Sequence, residues 1–226
     1  LRNIVENGTP EQRQQALRNI VSAEAVRVQR EVASKEPPPE SVMEAAGGLN
    51  RIVFSAQNGS ELPGQQVREE GGPATGDAAA DETYALYKEI YGRDSIDGNG
   101  ARLDSTVHFR TGYDNAFWNG RQMVYGDGDE DLPVEQRLFN RFTIAIDIIG
   151  HELTHAVTQF TANLVYQGQS GAVNESMSDV FGSLVKQRGL GQTAADADWI
   201  IGEGLFTGNV NGTGIRNMKQ PGTAYN

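Results

Sequence analysis

The chain has 226 residues, 38% of them hydrophobic and 22% charged, with a net charge of −11 and no cysteine. That is the composition of an ordinary globular protein of one large or two small domains. The acidic balance argues against nucleic acid and anionic membrane surfaces as partners, and the lack of cysteine excludes a disulfide framework and thiolate-bound zinc.

No apolar run approaches the roughly 20 residues of a membrane helix, and no signal peptide stands at the start. The chain begins at Leu1 rather than Met, so further residues upstream are expected. In chain order, residues 9–35 read as a helix. Thr9 is a good N-cap, Pro10 suits the first turn and Gln12 completes a capping box. Leu17, Val21, Ala25, Val28 and Val32 recur at helical spacing and form its apolar stripe. Pro37-Pro38-Pro39 stops the helix and starts a linker, and Gly47-Gly48 is a second flexible point. Residues 1 to about 48 therefore read as a small helical appendage.

From Arg51 the texture changes to strands and turns. Arg51–Ser55 and Ser105–Arg110 read as strands, 64–80 as irregular, and Asp81–Tyr91 as a short helix. Asn115–Trp118 and Arg121–Tyr125 flank Asn119-Gly120, a hairpin signal. The acidic run 126–131 lacks the spacing of an EF-hand and reads as a solvated turn. Residues 135–160 read as a helix whose part from Ile144 to Phe160 is apolar nearly all round, the mark of burial. A second helix is predicted from about Asn174 to Arg188.

The buried helix carries His151-Glu152-Leu153-Thr154-His155. The spacing puts both imidazoles on one face, one turn apart, with Glu152 between them. This H-E-x-x-H pattern supplies two nitrogen ligands for zinc and one general base for a metal-bound water. Only one other histidine exists, His108, and it lies elsewhere. Catalytic zinc takes a third protein ligand, and Glu175 on the next helix is the candidate. Asp179, one turn further on, is placed to accept the second ring N–H of His151. The alternative is a buried helix whose two histidines are satisfied by polar neighbours. A buried, unpaired Glu152 weighs against it.

These residues resemble the thermolysin-like family of neutral metalloendopeptidases. The resemblance runs from about Arg51 to Pro221 and includes Asn115-Ala116-Phe117-Trp118, Met123 to Gly128, the His-Glu-Leu-Thr-His segment and Asn174 to Asp179. Residues 1–48 resemble the short propeptide of its protealysin-like branch. The implied fold is α+β: a β-rich N-terminal lobe (49–226) with a central zinc-motif helix, preceded by the helical pro-segment. The implied zinc ligands are His151, His155 and Glu175. Glu152 would polarise the attacking water and Tyr166 would help stabilise the oxyanion. Asn115, Ala116 and Trp118 match the edge strand that pairs with substrate, although core packing is the simpler role for the Phe117 and Trp118 side chains. Arg216 matches an arginine supporting the pocket after the scissile bond; otherwise it is a surface arginine.

The resemblance also implies calcium at Asp147, Asp198 and Glu203. The two-calcium version has acids where this chain has Lys186 and Ile200, so one ion is expected; the alternative is that Asp147 pairs with Lys186. The chain carries no histidine after His155, where the family has one in a C-terminal helical lobe. It stops at Asn226, about where that lobe is expected to begin, so the lobe is expected to be absent.

The implied function is a zinc endopeptidase precursor acting on peptide or protein substrates, with its own propeptide in the cleft. The alternative is a catalytically silent zinc-binding module, and the pro-segment could equally be an ordinary folding helix. Family resemblance implies secretion, with cytoplasmic location or export without an ordinary signal as alternatives.

Overall fold

Thr9 starts the long N-terminal helix as the sequence predicts. Its hydroxyl accepts the Gln12 N–H at 3.3 Å, and the Gln12 side chain accepts the Thr9 N–H at 3.0 Å. This helix, α2, spans Pro10–Ala33 and follows a short α1, Arg2–Asn7. The computed structural model describes residues 2–35, 48–69 and 75–225; the expected linker at Pro37-Pro38-Pro39 and the flexible point at Gly47 lie outside them.

The face that α2 buries is not the expected one. Leu17, Val21, Val28 and Val32 are exposed, whereas Gln15, Ala16, Asn19 and Val26 are buried. Residues 15, 19, 26 and 30 share one side of a helix. The reason is the partner surface, which is lined by carboxylates. A face carrying amides and a guanidinium can satisfy those groups, and a valine stripe cannot.

The main sheet has five strands: β1 (Arg51–Ser55), β2 (Gln65–Glu69), β3 (Leu103–Val107), β4 (Ala116–Trp118) and β5 (Met123–Tyr125). Their order is β2-β1-β3-β5-β4. β3 lies parallel to both β1 and β5, and the β4–β5 hairpin closes through Asn119-Gly120. β4 is therefore an edge strand. β2 and the first turns of the helix α3 (Thr75–Ala85, continued by a π-helical turn to Ile90) occupy ground expected to be irregular, while the rest of α3 matches the helix expected over Asp81–Tyr91. β3 stops at Val107 rather than Arg110 because His108 and Arg110 take φ of 55°, outside the strand region.

Two helices carry the rest of the core. α4 spans Ile146–Gln159, not 135–160, with only 3₁₀ turns before it at Val134–Gln136 and Phe142–Ile144. Asp129 explains the difference. Its Oδ2 accepts the N–H groups of Leu138 (2.7 Å) and Phe139 (2.9 Å), holding them out of a helical turn. Asp129 is itself fully buried, so the acidic run is no simple solvated turn. α5 spans Gly168–Gly189 and lies against α4. A Cβ on Gly182 would come within 2.4 Å of the Asp147 carbonyl oxygen, so a glycine there lets the two helices approach closely. A two-stranded sheet, β6 (Ile200–Ile201) with β7 (Arg216–Asn217), closes the end of the pair.

Candidate metal and catalytic site

Every residue of α4 from Asp147 to Thr158 is buried, as an all-round apolar helix predicts. The polar members of that run must therefore find partners within the protein. His151 and His155 project from α4 toward α5, their Nε2 atoms 3.0 Å apart. Glu175 of α5 completes the trio, with Oε2 3.5 Å from His151 Nε2 and Oε1 3.3 Å from His155 Nε2. Ligands at roughly 2.0–2.2 Å around a tetrahedral ion stand about 3.3–3.5 Å from one another. Two nitrogens and a carboxylate at these separations suit a catalytic zinc.

The second ring nitrogens are also held. His151 Nδ1 meets Asp179 Oδ1 at 2.8 Å, as the spacing predicts. Arg216 of β7 grips the same carboxylate with two hydrogen bonds of 2.6 Å, from Nε to Oδ2 and from Nη2 to Oδ1. His155 Nδ1 meets Asn174 Oδ1 at 2.7 Å and Ser178 Oγ at 3.1 Å. These orienting contacts fix which nitrogen of each ring faces the centre. Sequence reasoning missed Asn174 and Ser178. Their signal was available: they stand four apart on the face of α5 that bears Glu175 and Asp179.

The electrostatics follow from the same contacts. Burial opposes ionisation of Glu175, but hydrogen bonding and charge from His155, then charge from His151 and Arg30, hold its carboxyl far below the usual range. Burial likewise opposes charge on Asp179, and the bonds from His151 and Arg216 overcome it. Burial, then the Arg30 charge, lowers the pKa of His155. Burial pushes the Tyr166 hydroxyl up to about 12, despite the nearby Arg30.

Glu152 lies beside the trio and accepts the backbone N–H of Trp118 at 3.1 Å. The edge strand β4 thus borders the centre. Asn115 uses its Oδ1 on the Ala116 N–H at 3.0 Å. Tyr166 donates its hydroxyl to Glu175, and its ring stands 6.0 Å from that of His155. His108 is elsewhere, paired with Asp127 at 2.6 Å.

Sequence reasoning also did not single out Arg30. It reaches from α2 into the centre and pairs with Glu152. Its Nη1 lies 3.3 Å from Glu175 Oε1, 3.1 Å from His155 Nε2 and 3.4 Å from Tyr166 Oη. Burial works against its charge, but Glu152, Tyr166 and Glu175 together raise its pKa. The adjacent hollow is lined by Val26, Gln29, Trp118, Gln159, Leu164 and Tyr166, so helix and cleft share it.

The expected calcium residues converge around Lys186. Its ammonium donates to Asp198 Oδ2 and Glu203 Oε2, both at 2.9 Å. Burial disfavours the ammonium, but Glu203 and Asp198 raise its pKa. Asp147 takes the Gly202 N–H at 2.9 Å and the Ile148 N–H at 2.9 Å. The alternative of a direct Asp147–Lys186 pair is thereby corrected: the lysine's direct partners are Asp198 and Glu203.

Comparison with known proteins agrees with this geometry. The model of the thermolysin metallopeptidase catalytic domain matches residues 64–159, and that of the family's alpha-helical domain matches 162–226. The chain belongs to the thermolysin family of metallopeptidases. It is 47% identical to an extracellular metalloprotease of Pectobacterium carotovorum subsp. carotovorum, covering 100% of this chain and 64% of that protein. It is 41% identical to Protease PrtS of a Photorhabdus species, over 100% of this chain and 61% of that protein. The precursor of protealysin, a metalloproteinase from Serratia proteamaculans, superposes with a TM-score of 0.80 at 43% identity, covering 100% of this chain and 65% of that one. The chain thus spans just under two thirds of the length of these relatives.

Zinc and structural calcium are the metals of this family, and the His151, His155 and Glu175 group fits the zinc. The match to the alpha-helical domain corrects one expectation. Part of that lobe is present in the chain, because its match begins at Ala162 and includes α5 with Glu175. The physical reason is that the metal centre is built across the two domains, two ligands from one and one from the other.

Proposed function

We propose that this protein is the precursor of a zinc endopeptidase that hydrolyses peptide bonds with Glu152 as general base. The observation that carries this reading is Glu152 itself: a buried carboxylate beside three convergent zinc-type donors and bonded to the edge strand. His151, His155 and Glu175 would hold a zinc ion, which when bound would supply Lewis acidity at the scissile bond. Glu152 takes the proton from the attacking water. Tyr166 offers a hydroxyl donor to the oxygen that gains charge, a role its raised pKa supports by keeping the phenol protonated. The edge of β4, with Asn115 and the backbone of Ala116 and Trp118, receives an extended peptide as an added strand. Arg216 holds Asp179, and through it His151, while lining the pocket beyond the scissile bond. Asp147, Asp198 and Glu203 would hold one calcium, with the Lys186 ammonium, which bonds Asp198 and Glu203, supplying the charge of a second. The whole protein is exported, as the name of its Pectobacterium relative says of that protein.

Residues 1–48 form the inhibitory pro-segment. Arg30 neutralises Glu152 and stands where a substrate oxygen would approach Tyr166 and Glu175, so the docked form is catalytically silent. Two substitutions test the reading. Glu152→Gln lowers peptide hydrolysis by about 10²–10⁴-fold while zinc content is retained; unchanged hydrolysis would exclude Glu152 as the base. Arg30→Ala raises hydrolysis of a short peptide by the unprocessed chain, on the order of tenfold, by increasing the open fraction. Equal rates for the two proteins would leave α2 as an ordinary folding helix.

A further inference from the structure

A second polar contact fastens α2 to the lobe, well apart from the metal ligands. Asp114, in the loop before β4, is buried, and its Oδ2 accepts Asn19 Nδ2 at 2.5 Å and Gln15 Nε2 at 3.3 Å. These are its side-chain hydrogen bonds to α2. Its carboxyl interacts with that of Asp129, which is fully buried and whose Oδ2 is already used by the Leu138 and Phe139 N–H groups. The Oδ1 atoms of both aspartates are buried and accept no hydrogen bond from a fixed donor. Two buried carboxylates that interact with each other are not both stable as anions, and one proton held by the pair removes the repulsion. Asp129, with two backbone donors, is the better anion. Asp114, facing two neutral amides, is the better acid.

We propose that the Asp114–Asp129 pair is a proton-dependent latch for the pro-segment: α2 docks while the two carboxyls share a proton, and its hold weakens as that proton is lost. The groups facing the pair are few. From α2 come Gln15, Asn19 and the exposed Arg18, whose charge acts on Asp129. From the lobe come the Leu138 and Phe139 N–H groups on Asp129. Burial first, then the charge of Asp129, raises the Asp114 carboxyl to about 8, while Asn19 pulls the other way.

The sign follows from linkage. When α2 leaves, Asp114 regains water and its pKa falls toward the usual carboxylate range. The docked state therefore binds the proton more tightly. Docking is strongest below the released-state pKa, weakens as pH climbs, and reaches its floor above the docked value near 8. One proton limits the effect to a tenfold change in the docked-to-released ratio per pH unit. Because α2 also carries Arg30, release at Asp114 would uncover Glu152 as well; that consequence rests on the function proposed above, whereas the latch itself does not.

The test reads the position of α2 without reading activity. The chain has no cysteine, so Val21→Cys on α2 and Leu190→Cys after α5, both at exposed positions, accept one spin label each. Pulsed electron–electron resonance then gives the label-to-label distance distribution of the full chain from pH 5 to pH 9. The expected result is a single docked distance at pH 5 and a growing long-distance population above pH 7. Asp114→Asn keeps the shape and removes the proton, so its distribution stays docked across the range. Asp129→Asn removes the like charge, narrows the gap between the docked and released pKa of Asp114, and so shifts release to higher pH than in wild type. A wild-type distribution that does not change between pH 5 and pH 9 would overturn the latch, as would an Asp114→Asn chain that keeps the wild-type pH profile. If the Asp114→Asn chain does not fold, the wild-type profile and the Asp129→Asn shift still decide it.

Discussion

α4 and α2 are both long helices with apolar residues at helical spacing, yet they obey opposite rules. α4 buries what its sequence says it should, from Asp147 to Thr158. α2 turns Leu17, Val21, Val28 and Val32 to solvent and docks Gln15, Asn19 and Arg30 instead. The difference lies in the surface each one meets. α4 packs against aliphatic and aromatic neighbours in the core, so apolar area decides its orientation. α2 meets a cleft lined by Asp114, Glu152 and Glu175, where leaving a buried carboxylate unpaired costs more than burying a few valines gains.

Three substitutions sharpen or break that contrast. The largest effect is expected from Leu153→Ala in α4, where a fully buried side chain leaves a cavity. We expect about 2–5 kcal/mol of lost stability in urea unfolding; a loss under 1 kcal/mol would mean that α4 is not held by packing. Next is Asp179→Asn, which keeps the shape but weakens the acceptor that orients His151. Zinc affinity, measured by competition with a chromophoric chelator, is expected to fall about 10–100-fold. An unchanged affinity would show that Arg216 and Asp179 serve the fold alone. The smallest effect is expected from Val21→Ser, at a position 69% exposed. Its unfolding free energy is expected to stay within about 0.5 kcal/mol of wild type. A loss as large as that of Leu153→Ala would show that the valine face is covered after all.

Much of the centre is legible in the sequence. His151, Glu152 and His155 follow from a four-residue spacing on an apolar helix, and Asp179 from the need of a ligand histidine for an acceptor. Tyr166 and Arg216 come only through family resemblance, because neither has a local pattern. Arg30 cannot be read at all, since it lies 122 residues before Glu152 and meets it only through docking. The 3₁₀ turns before α4 escape for a related reason. Asp129 captures two N–H groups that local propensity assigns to a helix, and no pattern in 135–145 records it.

The sequence alone determined the local machinery: the cap of α2, the buried run of α4, the hairpin at Asn119-Gly120 and the two imidazoles on one face. Those depend on neighbours within a few turns, where periodicity and backbone chemistry act directly. Only the tertiary structure decided which face of α2 points inward, that Arg30 reaches Glu152 and Glu175, and that Asp114 and Asp129 share a buried site. Each of those is set by the surface an element meets, and a side chain's burial energy has no value until its partner is known.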